Sequence, residues 1–142
     1  MNGKGFGLFD LVVTSFLILV LAGFGVGYLE QIGEQHRLQL ASQSLLSTLS
    51  MARGLSIAKN LGVEVRIHPD RSQYALLPVD TEEELWRQFP RGVELTQFPD
   101  PPITFYSRGT ATPSGTFTLV NSAGTMQVVV ALSGRARWER VD

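Results

Sequence analysis

Asp10 is the only charge between Gly5 and Glu30, in a stretch otherwise made of apolar and small residues. A carboxylate in an apolar helix costs on the order of 3 kcal/mol near the centre of a bilayer and less near its rim, and such residues usually mark a function. Asp10 lies about one helical turn after Phe6, which makes it shallow. A second concentration of chemistry is Arg135, Arg137, Trp138 and Arg140 at the chain's end. Guanidinium groups are planar, permanently charged and suited to phosphate, and an indole can stack on a base. In a strand Arg135 and Arg137 share one face, and Trp138 and Arg140 the other. Arginine is equally a guard for an exposed edge strand, and Glu139 and Asp142 dilute the charge. His68, Asp70 and nearby serines have the residue types of a nucleophilic triad, but any turn can contain them. Asp80, Glu82, Glu83 and Glu84 could offer oxygens to calcium, yet calcium sites space their ligands, and the run reads as wet surface.

Other chemistry finds no foothold. The sequence has no Gly-x-Ser-x-Gly elbow, phosphate loop or His-Glu-x-x-His, and no cysteine to act as nucleophile, disulfide or thiolate ligand. Its two histidines, His36 and His68, lack a metal-ligand spacing. The chain therefore reads as non-catalytic and calls for no cofactor or metal. With a net charge of −1, no overall field favours nucleic acid or anionic lipid, so such a partner needs a local patch.

The apolar element holding Asp10 comes first. Residues 11–29 carry no charge, and as a helix they reach about 28 Å, the thickness of a bilayer's hydrocarbon. Lys4 precedes them, while Glu30, Glu34 and Arg37 follow. This bias places the N-terminus in the cytoplasm and everything after Leu29 outside. The competing reading is a secretory signal cut near Gly23-Phe24-Gly25 or Gly25-Val26-Gly27. The apolar run is longer than a usual signal core, and that cut leaves Asp10 unexplained.

From Glu30 the chain turns polar but keeps a helical stripe, Leu38, Ser42, Leu45, Leu49, Ala52 and Ser56. Asn60 and Gly62 supply the stop, so one long helix is expected over about 6–60. Short alternating segments follow at 63–67, 74–79, 92–98, 103–106, 116–120, 126–132 and 136–141, separated by Pro-, Gly- and Asn-rich turns. Trp86 and Phe89 are expected to cover the sheet. Together these give an α+β domain of about 110 residues beyond the anchor, with seven or so antiparallel strands and the helix against one sheet face.

Lys4-Gly5-Phe6-Gly7-Leu8-Phe9-Asp10 resembles the class III signal of type IV prepilins and pseudopilins: a basic residue, Gly, Phe, Thr, Leu, Ile, Glu. Gly7, Phe9 and Asp10 depart from it, and Gly27 stands where many pilins carry Pro. The resemblance implies a leader at 1–5, cleavage between Gly5 and Phe6 by a prepilin peptidase, and N-methylation of Phe6. It also implies that Asp10 pairs with the N-terminus of a neighbouring subunit. The rest divides into a transmembrane helix at 6–29, its amphipathic continuation at 30–60 and a β domain at 61–142. Ala52-Arg53 with Ala58 and Asn60, then Ile103-x-Phe105-x-x-x-Gly109, then Gly124 and Ser133-Gly134-Arg135-Ala136-Arg137, resemble the GspH/FimT family of minor pseudopilins and minor pilins. That family implies a type IV pilin-like fold and a structural role in a type II secretion pseudopilus or type IV pilus. Its implied partners are other pilins through the N-terminal helix, and an assembly platform in the inner membrane. In its FimT-like members a Gly-Arg-x-Arg run is associated with DNA binding during uptake, so the resemblance offers DNA as an alternative partner for Arg135 and Arg137, with Trp138 and Arg140 beside them.

Overall fold

The computed structural model describes residues 7–79 and 85–141, with 24–29 and 85 described by main chain alone. The chain divides into two compact units, Met1–Gly33 and Glu34–Asp142, and helix α1, Leu8–Lys59, contributes to each.

In the first unit, α1 presents its apolar side chains to the outside: Leu8, Phe9, Phe16, Leu17, Leu19 and Leu21 are all more than half exposed. The hydroxyls in this run are taken up inside the helix. Thr14 Oγ1 donates to Asp10 O at 2.6 Å and Ser15 Oγ to Leu11 O at 2.7 Å, the usual solution for a hydroxyl with no polar neighbour. Among the described residues no helix is long and apolar enough to cross a membrane. The expected span includes 24–29, whose side chains lie outside the described residues.

In the second unit, α1 ends as the sequence predicts. Asn60 takes a left-handed φ of 52°, its N–H reaches Ile57 O, and Leu61 N–H reaches Ser56 O at 3.2 Å. That pair of bonds is a Schellman cap, which satisfies the last helical carbonyls. Strands β1 (Val63–Ile67), β2 (Gln73–Pro78), β3 (Leu85–Gln88), β4 (Glu94–Gln97), β5 (Ile103–Phe105), β6 (Ala111–Thr112), β7 (Gly115–Asn121), β8 (Gly124–Val130) and β9 (Ala136–Val141) follow. They form two antiparallel sheets, in the order β3-β2-β1-β5-β6 and β4-β7-β8-β9.

The α+β architecture is as expected, with two differences. The helix meets two sheets rather than one face, and two strands were not foreseen. β3 reads Leu-Trp-Arg-Gln, without alternation, and is held by its register on β2. β6 is two residues inside a run of turn formers, paired with Thr104 and Phe105. Neither is long enough to leave a period-two signal. The acidic residues 80–84 lie outside the described residues.

The helical stripe is the core's spine. Leu38, Ala41, Ser42, Leu45, Thr48, Leu49, Ala52 and Ser56 are buried together with Val63, Val65, Tyr74, Ile103 and Phe105 of one sheet and Phe117, Leu119, Met126, Val128 and Val130 of the other. Polar atoms on α1 fix it to each sheet: Ser44 Oγ lies 2.8 Å from Tyr74 Oη, and Ser42 Oγ lies 3.3 Å from Met126 Sδ. Phe89 is buried against Tyr74 with ring centroids 4.8 Å apart, and Trp86 meets His68 edge-on at 5.1 Å.

Candidate functional site

Asp10 falls in the first turn of α1, and its main chain is fixed by an N–H bond to Gly7 O at 2.9 Å. The side chain is exposed, and no ion pair among the described residues includes it. Gly5 and Phe6 lie outside the described residues. Asp10 is thus an exposed carboxylate at the head of an uncovered apolar helix surface.

The C-terminal residues do not converge on one face. Arg135 lies in the turn before β9, where its carbonyl accepts from Ala131 N–H at 2.9 Å. Within β9, Arg137 and Glu139 point away from the core and lie 3.8 Å apart. Trp138 and Arg140 are opposite buried Val128 and Met126 of β8, and with Gln35, Leu38, Gln39 and Met126 they line a cavity of about 280 Å³. Trp138 stays 44% exposed at its mouth.

Spacing alone does not assemble the corner around Arg53. Its Nε donates to Gly109 O at 3.0 Å, and Ser56 Oγ donates to Tyr106 O at 3.0 Å, so α1 holds the 106–110 turn from beneath. Gly109 and Gly134 take φ of 77° and 72°, and a Cβ on Gly134 would stand 2.0 Å from Gly109 O. The two turns touch main chain to main chain, and Ala111 N–H bonds Leu132 O at 3.0 Å beside them. Arg53 meets both turns at this contact, and Arg108 and Arg135 are the chain neighbours of its two glycines. Arg53, Gly109 and Gly134 are each visible in the sequence; their meeting is not, because the three are far apart along the chain. Arg108 was missed altogether, since it stands alone between a serine and a glycine.

The residues around His68 form a turn. Ser72 N–H donates to Asp70 Oδ1 at 2.9 Å, and His68 Nδ1 lies 2.8 Å from the same oxygen. The Ser72 main-chain bond, helped by the Ser72 side chain and by His68, holds Asp70 below the usual carboxylate range. The Ser72 contact that fixes this turn is its main-chain N–H, and no serine hydroxyl bonds His68 among the described residues, so the geometry of a triad is not assembled. Nor do three metal-ligating side chains come together among the described residues.

A family model described as "Type II transport protein GspH" matches residues 41–134, which run from the buried stretch of α1 to the Gly134 turn. No curated protein matches the sequence. Among solved structures, the type IV minor pilin FimU of Pseudomonas aeruginosa is similar, with 18% identity and a TM-score of 0.63 over 74% of this chain and 90% of that one. The minor pseudopilin EpsH from the Type 2 Secretion System of Vibrio cholerae is similar with 16% identity and a TM-score of 0.59, over 73% of this chain and 97% of that one. At these identities the likeness is one of fold, a long helix packed on antiparallel sheets.

Proposed function

Because the chain belongs to the Type II transport protein GspH family, we propose that it is a minor pilin or pseudopilin, a structural subunit that works by assembly rather than catalysis. The observation carrying this reading is the apolar surface of α1 in the first unit, exposed from Leu8 to Leu21 with one carboxylate, Asp10, at its head. Such a surface is stable in lipid or among neighbouring apolar helices and not in water. In this reading residues 6–29 anchor the chain in the inner membrane with the N-terminus cytoplasmic and the β domain outside. A prepilin peptidase cuts between Gly5 and Phe6 and the new Phe6 amino group is methylated. The assembly platform then moves the helix from lipid into a bundle of other pilin helices, where Asp10 pairs with a neighbour's N-terminus. EpsH and FimU, a secretion pseudopilin and a pilus pilin, support either fibre as the destination.

Mass spectrometry of the mature chain tests the reading directly. A start at N-methylated Phe6 is expected; a start at Val26 or Tyr28 overturns it. Asp10→Ala should leave that cut largely intact while lowering incorporation into fibres, and normal incorporation would remove the pairing role.

A second reading, DNA binding in uptake, is favoured by one observation: the Gly109 and Gly134 turns meet beside Arg53, and Arg108 and Arg135 are the chain neighbours of those glycines. Phosphate contact here should be blind to sequence. Replacing Arg135 and Arg137 together by Gln should weaken binding to unrelated duplexes alike and make its salt dependence shallower by about one unit of slope per lost contact. Failure of the parent chain to bind DNA at low salt rejects this reading and leaves the first intact.

A further inference from the structure

The four sheet edges are not equally closed. β3 has four residues, β6 has two, and β4 has four with a register shift between Leu95 and Gln97. Short and bulged edges of this kind resist added strands. β9 is different: six residues in unbroken register with β8 from Val130↔Ala136 to Thr125↔Val141, and nothing on its other side among the described residues. Main-chain bonding alternates along an antiparallel pair. Since Ala131 N–H bonds Arg135 O, the rungs to β8 fall at Arg137, Glu139 and Val141, and the N–H and C=O groups of Ala136, Trp138 and Arg140 face the open edge. The side chains of Trp138 and Arg140 line the cavity over Leu38 and Met126.

We propose that β9 is a docking edge for an extended segment of a different protein chain, added as a fifth strand beside β9, with an apolar side chain opposite Trp138 and a carboxylate two residues away opposite Arg140. The two-residue step puts both on one face of the incoming strand. The apolar residue covers Trp138 and enters the cavity lined by Leu38 and Met126. The carboxylate follows from charge. Arg137 and Glu139 pair with each other on the outer face, whereas among the described residues Arg140 is the only charged side chain lining the cavity, and no ion pair there includes it. Main-chain bonds supply affinity in this mode, and alternate side chains supply selection.

A second copy fits less well. Antiparallel pairing of two β9 strands needs a two-fold axis normal to the sheet, which sets Ala136, Trp138 and Arg140 of one copy beside the same residues of the other, so no carboxylate of β9 comes opposite Arg140.

The test uses the full chain in detergent micelles and a labelled synthetic peptide of about eight residues, alternating in polarity, with leucine and glutamate two apart. The glutamate peptide should bind, and lysine in its place should weaken binding about tenfold. Arg140→Glu should reverse that preference, while Arg140→Gln should abolish it with the fold intact by thermal melting. N-methylation of the peptide nitrogens on the edge that pairs with β9 should eliminate binding, and methylation of the opposite edge should leave it unchanged. No binding, indifference to charge sign or indifference to N-methylation would each overturn the proposal. Copies crosslinked to one another through cysteine placed at 138, in parallel with concentration-dependent dimers, would overturn it in favour of self-pairing. Duplex DNA competing for this edge while the peptide does not bind would overturn it in favour of nucleic acid.

Discussion

Leu19 and Leu45 sit in one helix by main-chain hydrogen bonding, yet Leu19 is 70% exposed and Leu45 is 0% exposed. Apart from Asp10, Thr14 and Ser15, the stretch from Leu8 to Leu21 is apolar all round, whereas from Leu38 to Ser56 apolar and small residues recur at three and four and polar ones fill the rest. A helix apolar all round needs an apolar surrounding, and one with a stripe needs a single partner surface. The second stretch finds its partner in the two sheets of its own chain. The first stays exposed among the described residues, and on the proposed reading its surroundings are lipid or other chains. The comparison separates folding from assembly along one helix.

Truncating each stretch should break that comparison most sharply. Leu45→Ala removes buried methyl groups between two sheets and should cost about 2–5 kcal/mol, because the surrounding strands cannot close the cavity fully. Leu19→Ala should shift the β domain's denaturation by less than about 0.5 kcal/mol, as expected for a side chain with no packing to lose. Chemical denaturation of the full chain in micelles, followed by near-ultraviolet circular dichroism, reads both. Equal losses would mean that the first stretch is part of the folding core.

Gly134→Ala tests whether the second stretch also organises loops. The new Cβ would meet Gly109 O at 2.0 Å in a left-handed backbone, and the turn that must move carries the carbonyl held by Arg53. A loss of about 2 kcal/mol is expected from strain and displaced packing. Gly33→Ala, where a Cβ meets nothing within 4 Å, should be neutral or raise stability by about 1 kcal/mol through helix propensity. An unaffected Gly134→Ala would show that the two turns yield freely.

Much of this was legible in the sequence because it rests on local rules. The stripe from Leu38 to Ser56, the stop at Asn60 and the alternation of Val63, Val65 and Ile67 each follow from one period or one cap, and each is where the structure places it. What escaped is relational. Strand spacing does not say that β4 leaves the sheet containing β1 to join β7, and two residues of β6 are too few for a pattern. The candidate site divides the same way. The periodicity of a strand separated Arg137 from Trp138 and Arg140, but the cavity they border with α1, and the corner joining Arg53, Gly109 and Gly134, depend on residues brought together only by tertiary packing.

The smallest effect concerns hydroxyls, which the two stretches treat differently. Thr14 Oγ1 is satisfied by Asp10 O, while Thr48, 2% exposed, has an Oγ1 that finds no hydrogen-bond partner among the described residues. A buried donor left unpaired loses its hydration without return, so Thr48 sits in the core at a cost. Thr48→Val keeps the shape, the branching and nearly the same helix propensity while removing that group. Stability should rise by about 1 kcal/mol, with the midpoint temperature up by a few degrees for a domain of about 110 residues. Thr14→Val gives up a made bond at an uncovered position and should leave the midpoint where it is. If Thr48→Val instead lowers the midpoint, the hydroxyl has a partner in solution, and the core face of α1 is more polar than its packing implies.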